Sequence, residues 1–275
     1  MSVPELFSYR DQELYSHHSR DGSPEPEGFS VHAHEWMEVL YFRSVSGSCL
    51  VEGTRYPLEP GDILIMRAAE THRVELSPDT PYERIAIHFS PALLAGLDPE
   101  GKLLQPFLDR PLGRRNLYPA AADPEGRLRA AFAEFGADRP ADLRLNLLGR
   151  LLVLLTGLAG VFQQDLEPEP TDRGLPGQVV AYVNRHLFED ISLQSAADRF
   201  YRSRSQISRV FRQATGSSFW DYVTRKRLMA ARAMIQRGEP AGTACIHCGF
   251  ADYSSFFRAY RSHFGHSPKE DSPKK

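Results

Sequence analysis

The sequence predicts an α+β chain of two domains, an antiparallel β-barrel with appended helices followed by an all-α domain with two helix-turn-helix units joined by a long helix. Three observations predict it. Short apolar runs alternate with glycine and proline up to about residue 89, as in a small all-β unit. A stretch of prolines and acids near residue 170 interrupts the chain, and the part after it is periodic at the helical repeat. That last part also repeats itself at an offset of 49 residues.

The strands are read between about Phe29 and Phe89. Glu38-Val39-Leu40-Tyr41-Phe42, Ser48-Cys49-Leu50-Val51, Asp62-Ile63-Leu64-Ile65-Met66 and Arg84-Ile85-Ala86-Ile87-His88-Phe89 are separated by Gly47, Gly53 and Pro60-Gly61. From about Pro124 to Gln164 the spacing of Leu128, Ala131, Phe132 and Phe135, then of Leu143, Leu147, Leu148, Leu151 and Leu155, predicts two helices. The second is apolar on more than one face, which suits packing on the barrel and on a second copy of the chain. Leu151→Glu is the substitution that would test that dimer.

Composition bounds the class. With 275 residues, 41% hydrophobic and 25% charged, the chain can bury two cores. Met1-Ser2-Val3-Pro4-Glu5 lacks the basic start and apolar run of a signal peptide. The stretch Leu147 to Phe162 is shorter than a membrane span and contains Arg150, so no membrane partner is expected. Three cysteines make no disulfide framework and fit a reducing cytoplasm. Charge is divided unequally. Arg173 to Lys275 holds 17 basic and 8 acidic residues, a net of +9, and the preceding residues carry a net of −11. Only the C-terminal part suits a polyanion.

Glu167-Pro168-Glu169-Pro170-Thr171-Asp172, with Gly174, Pro176 and Gly177, is read as a linker over residues 167–177, between domains at 1–166 and 178–275. Helices are then expected over Val179 to Phe188, Leu193 to Phe200 behind a Ser192 cap, Ser205 to Ala214 closed by Gly216, a long helix from Ser217 or Ser218 to near Gly238, Ala241 to Cys248, and Asp252 to His263 closed by Gly265. In the repeat, Arg209-Val210-Phe211-Arg212 returns as Arg258-Ala259-Tyr260-Arg261. Arginines three apart share one helix face while Ile207, Val210 and Phe211 turn inward, as a helix entering a major groove requires. A connecting helix of about 20 residues spans about 30 Å, close to the roughly 34 Å turn of a duplex.

At this point Ile191-Ser192-Leu193, Ala196-Ala197, Ser203, Ser208-Arg209-Val210-Phe211-Arg212, Thr215-Gly216-Ser217-Ser218-Phe219, Cys248-Gly249-Phe250, Phe256, Arg258 and Phe264-Gly265-His266-Ser267-Pro268 resemble the AraC/XylS family of transcription regulators. The resemblance implies promoter DNA as partner, RNA polymerase as a further contact, activation and no catalysed reaction. It places Ser205, Ser208 and Arg209 of the first unit and Ser254, Phe257 and Arg258 of the second toward bases, with Gln206 and Tyr253 on the same surfaces. Arg212 and Arg261 are placed toward phosphates. Where the family has a bulky aliphatic residue and alanine, this chain has Ala241 and Gly242, so the second unit is expected to be looser. Cys245 and Cys248 fall at core positions of the family and are read as packing, not as metal or redox chemistry.

His32-Ala33-His34, Glu38 and His72 resemble the cupin motif pair, whose four positions bind a divalent metal in cupin enzymes. This makes the N-terminal domain cupin-like and leaves two readings. In one, a barrel senses a small-molecule effector through a pocket at His32, His34, Glu38 and His72, with no cofactor. In the other, the same four residues hold a metal in an enzyme fused to a DNA-binding domain. Residues in family sensor domains favour the first. His88 is read as structural, and His17 and His18 are left without a role.

Overall fold

A computed structural model describes residues 5–24, 29–77, 80–133, 142–164 and 174–273. The chain divides into two compact units, Met1–Asp172 and Arg173–Lys275.

The first unit is an antiparallel sandwich, a barrel flattened into two sheets. One sheet has the order β1 (Glu5–Arg10), β2 (Leu14–Asp21), β8 (Tyr82–Phe89), β3 (Met37–Ser44), β6 (Ile63–Met66) and β9 (Leu117–Tyr118). The other has the order β5 (Thr54–Leu58), β4 (Gly47–Val51) and β7 (His72–Leu76). Alternation along the strands separates two cores. Leu40, Phe42, Leu64, Met66 and Ala86 face Cys49, Val51, Tyr56 and Val74 between the sheets. Val39, Ile63, Ile65, Ile85 and Ile87 face outward onto α1 (Gln105–Leu108), α2 (Arg127–Ala133) and α3 (Leu143–Phe162).

Two strands precede the first one expected. β2, Leu-Tyr-Ser-His-His-Ser-Arg-Asp, has no apolar alternation, and it forms because eight of its residues pair in register with β8. α3 runs 20 residues, longer than the sequence suggested and long enough to cross a membrane. Its Leu147, Leu151, Leu154, Leu155 and Leu158 are instead buried against the sheet and α2. Leu151 therefore points into its own core, and Leu151→Glu would test folding rather than dimerisation. The exposed apolar residues of α3 are Leu145 and Val153.

Buried at the end of this unit, Arg110 donates through Nη1 and Nη2 to Glu70 Oε1 and Oε2 at 2.8 and 2.7 Å. Both side chains are fully enclosed. Burial alone would raise the Glu70 acid, yet the Arg110 guanidinium holds it down at about 2.

The second unit is helical: α4 (Gly174–Arg185), α5 (Leu193–Arg199), α6 (Arg204–Thr215), α7 (Phe219–Gln236), α8 (Ala241–His247) and α9 (Tyr253–Phe264). α4 begins at Gly174, inside the stretch read as linker. Pro176 sits in its first turn, where a missing backbone donor costs no helical bond. Residues 167–173 of that stretch lie outside the described residues.

Candidate nucleic-acid interface and barrel cluster

The two helix-turn-helix units are built alike down to single hydrogen bonds. In the first, Tyr201 takes φ 53° and Arg202 N–H donates to Ala197 O at 3.0 Å. In the second, Gly249 takes φ 77° and Phe250 N–H donates to Cys245 O at 3.1 Å. Each second helix starts on a side-chain cap, Ser203 accepting from Gln206 N–H and Asp252 from Ser255 N–H. Each ends on a left-handed glycine, Gly216 and Gly265, whose N–H donates to Arg212 O and Arg261 O respectively.

α6 buries Ile207 and Phe211 completely, with Val210 half-buried, and exposes Ser205, Gln206, Ser208, Arg209 and Arg212. Gln206 also has a structural task, since its Oε1 accepts from Ser203 N–H at 3.1 Å and completes a reciprocal cap. α9 buries Phe256 and Tyr260 and exposes Tyr253, Ser254, Arg258 and Arg261. Phe257 is half-buried beside Tyr253, and Arg258 Nη2 donates to Ser255 Oγ at 3.2 Å. Neither helix carries an acidic residue, so each presents a wholly cationic face.

Sequence reasoning missed the residue that ties the units together. Arg227 of α7 donates through Nε to Leu187 O at 2.8 Å and through Nη2 to Glu189 O at 2.7 Å, both beside the first unit, and through Nη1 to Gly249 O at 2.5 Å in the second. A Cβ on Gly249 would stand 2.7 Å from Phe188 O, so only glycine allows this approach. The run Arg225-Lys226-Arg227 reads as a solvated basic face, which conceals the role. Cys245 and Cys248 are free thiols in the core with Leu228, Ile235 and Phe256, and burial pushes the Cys248 thiol up to about 11.

In the first unit, four groups meet at one end of the sandwich interior. Glu38 Oε2 lies 3.0 Å from His34 Nε2 and 3.1 Å from His72 Nε2, and its Oε1 lies 3.5 Å from His88 Nε2. His34 lies in the loop before β3. His32 makes an isolated bridge to His72 and stays exposed at the rim, its ring 4.3 Å from that of His72. His88 enters because it pairs directly across from Glu38 in the β3–β8 register. Alternation along β8 shows that His88 and Arg84 share a face, but not that the face is enclosed. His17 stacks on His88 at 5.8 Å. Burial opposes the Glu38 charge, yet His88, His72 and His34 hold the acid well below the usual carboxylate range. Burial pushes His88 and His17 down to about 4, whereas the hydrogen bond to Glu38 outweighs burial at His34 and raises it. Among the described residues, Thr54 Oγ1, His72 Nε2, Tyr82 OH and Arg84 Nε are also buried without a hydrogen-bond partner.

Residues 21–153 match the family model of an AraC-like ligand-binding domain, and residues 196–272 match that of a helix-turn-helix domain. The chain is 25% identical over 249 residues to the HTH-type transcriptional activator RhaS of Escherichia coli O157:H7, covering 88% of this chain and 87% of that protein. RhaS of Citrobacter koseri is 24% identical over 254 residues at the same coverage. Among solved structures, ToxT from Vibrio cholerae O395 aligns over 94% of this chain and 97% of its own, at 13% identity and a TM-score of 0.38. The C-terminal domain of AraT, a response regulator from Geobacillus stearothermophilus, covers 35% of this chain and 81% of its own, at 23% identity and a TM-score of 0.34. Both scores are too low for overall shape to carry weight. The two family models, met in this order along one chain that folds into a sheet unit and a paired helix-turn-helix unit, identify the protein as a member of the AraC/XylS family of DNA-binding transcription regulators.

Proposed function

We propose that the protein is a cytoplasmic, homodimeric transcription activator, which reads two successive major grooves with α6 and α9 and is controlled by a small molecule bound inside the N-terminal sandwich. The observation that carries the DNA-reading part is the matched pair of exposed arginine faces on helices with corresponding turn, cap and stop geometry. Ser205, Ser208 and Arg209 read bases from α6, with Gln206 at its start. Ser254, Phe257 and Arg258 do so from α9, with Tyr253 at its start. Arg212 and Arg261 fix register on phosphates. The 18 residues of α7 span about 27 Å, against the roughly 34 Å of one duplex turn, and Arg227 fixes the second unit against the end of the first. Activation, with RNA polymerase as the further contact, follows the printed role of the RhaS relatives.

The sensor part is supported by an enclosed polar end in an otherwise apolar sandwich, with buried polar atoms left for a ligand or water to satisfy. Dimerisation is supported by the exposed apolar residues of α3. Genome-wide mapping of bound sites in cells, with and without the chain, tests the function. Discrete promoter-proximal peaks with altered transcription of the adjoining genes are expected, and uniform occupancy would sink the proposal.

A further inference from the structure

The cluster around Glu38 has one property that hydrogen bonding inside the protein leaves unresolved. His34 Nδ1 lies 2.9 Å from Trp36 O, and His72 Nδ1 lies 2.9 Å from Glu70 O. A backbone carbonyl only accepts, so in both rings Nδ1 carries the proton, and Nε2 of the neutral imidazole presents a lone pair. Those lone pairs face an acceptor, the same oxygen of Glu38. His88 Nε2 faces the other oxygen. Protonating His34 accounts for one of the three. His72 Nε2 stays buried, 3.1 Å from the carboxylate and without the alignment of a hydrogen bond.

A cation between the donor atoms of His34, Glu38 and His88 satisfies those three together. The donor atoms of His34, Glu38 and His88 lie within 4.8 Å of one another. The contacts onto Glu38 run from 3.0 to 3.5 Å, and donors about 2.1 Å from a tetrahedral ion stand roughly 3.4 Å apart. The Trp36 carbonyl that holds Nδ1 of His34 also does what the outer partner of a metal-bound histidine does, fixing the tautomer and aiming Nε2.

We propose that the sandwich holds one first-row divalent ion on His34, Glu38 and His88. Two imidazoles and a carboxylate suit zinc, manganese, iron or cobalt better than magnesium or calcium. The set differs from the one that the sequence motif suggested. His88 takes part because of strand register, and His32 is left at the exposed rim with its Nδ1 on Ser30 O. The ion belongs to the sensor unit and does not depend on whether the chain binds DNA.

The test uses full-length protein free of any affinity tag. It is stripped with a chelator, dialysed separately against zinc, manganese and cobalt(II), and assayed by elemental analysis and by the cobalt absorption spectrum. Wild type, His32→Asn and His18→Asn, the last bonded to Glu83 on the opposite side of β2, are expected to retain about one ion per chain. Glu38→Gln and His88→Asn are expected to bind at least about tenfold more weakly and to lose the cobalt spectrum, while circular dichroism reports an unchanged fold. Wild type that takes up none of the three ions overturns the proposal. So does His88→Asn that folds and binds as wild type does, or loss of the ion on removing His32 but not His88.

Discussion

The Arg227 guanidinium donates to the carbonyl of Gly249 at 2.5 Å, while its other nitrogens reach Leu187 and Glu189. One side chain thus fixes the second helix-turn-helix unit against the end of the first, at the point where only glycine fits. Hydrogen bonds from a charged donor contribute about 1.5–3 kcal/mol. Arg227→Ala is expected to weaken binding to a full two-groove site by about tenfold or more, while affinity for a fragment bearing a single half-site stays within about twofold. Fluorescence anisotropy on the two fragments separates this from a general loss of folding, which would lower both.

Gly242 lies inside α8, and a Cβ added there meets nothing within 4 Å. The residue thus contributes backbone freedom without serving any close approach. Gly242→Ala should stabilise the second unit by about 0.5–1 kcal/mol, seen as a higher urea midpoint at unchanged slope. A lower midpoint would mean that the glycine is needed for a conformation other than this helix.

Glu70 and Arg110 give the first unit a specific acid response. The folded Glu70 acid sits at about 2 against an ordinary 4.5. A depressed acid stabilises the fold fully above its ordinary value, and the contribution fades as pH falls from about 4.5 toward 2. Glu70→Gln should cost about 3–5 kcal/mol at neutral pH by stranding a buried guanidinium. Its unfolding free energy should also fall less steeply over that acid range than that of the wild type. Parallel denaturation series at pH 7, 4.5 and 3 would read both effects, and equal slopes would remove Glu70 from the account.

Val153 is 62% exposed on α3, whereas Leu151 is completely buried. Val153→Glu is therefore the substitution that addresses the proposed dimer without opening the core. Light scattering should give twice the chain mass for the wild type and the single mass for the variant. Unchanged mass in a folded variant would move the interface off this helix.

What the sequence made legible followed from where each pattern has one physical reading. β3 and β8 carry apolar runs of strand length set between turn residues, and the helix stops at Gly216 and Gly265 are φ-positive glycines as expected. β2 escaped because its inward residues Tyr15, His17 and Ser19 face a polar interior, so alternation by hydropathy vanishes. β9 has two residues and exists only through pairing with β6. Gly174 and Pro176 read as a break, but the first turn of a helix tolerates both. The arginine faces of α6 and α9 were readable because local periodicity defines a helix face. The partners of Glu38 were only half readable, since His88 joins through cross-strand register, which no local pattern encodes.

Binding of a mapped promoter fragment against a random duplex of equal length, across a salt series, tests the central claim most directly. The account predicts at least about a thousandfold preference for the promoter at one salt concentration. It predicts that Arg209→Ala erases most of that preference and Arg258→Ala less, and that Arg212→Ala lowers affinity for both duplexes and reduces the salt slope by about one. Equal affinity for promoter and random DNA, or an Arg209→Ala protein as selective as the wild type, would contradict it.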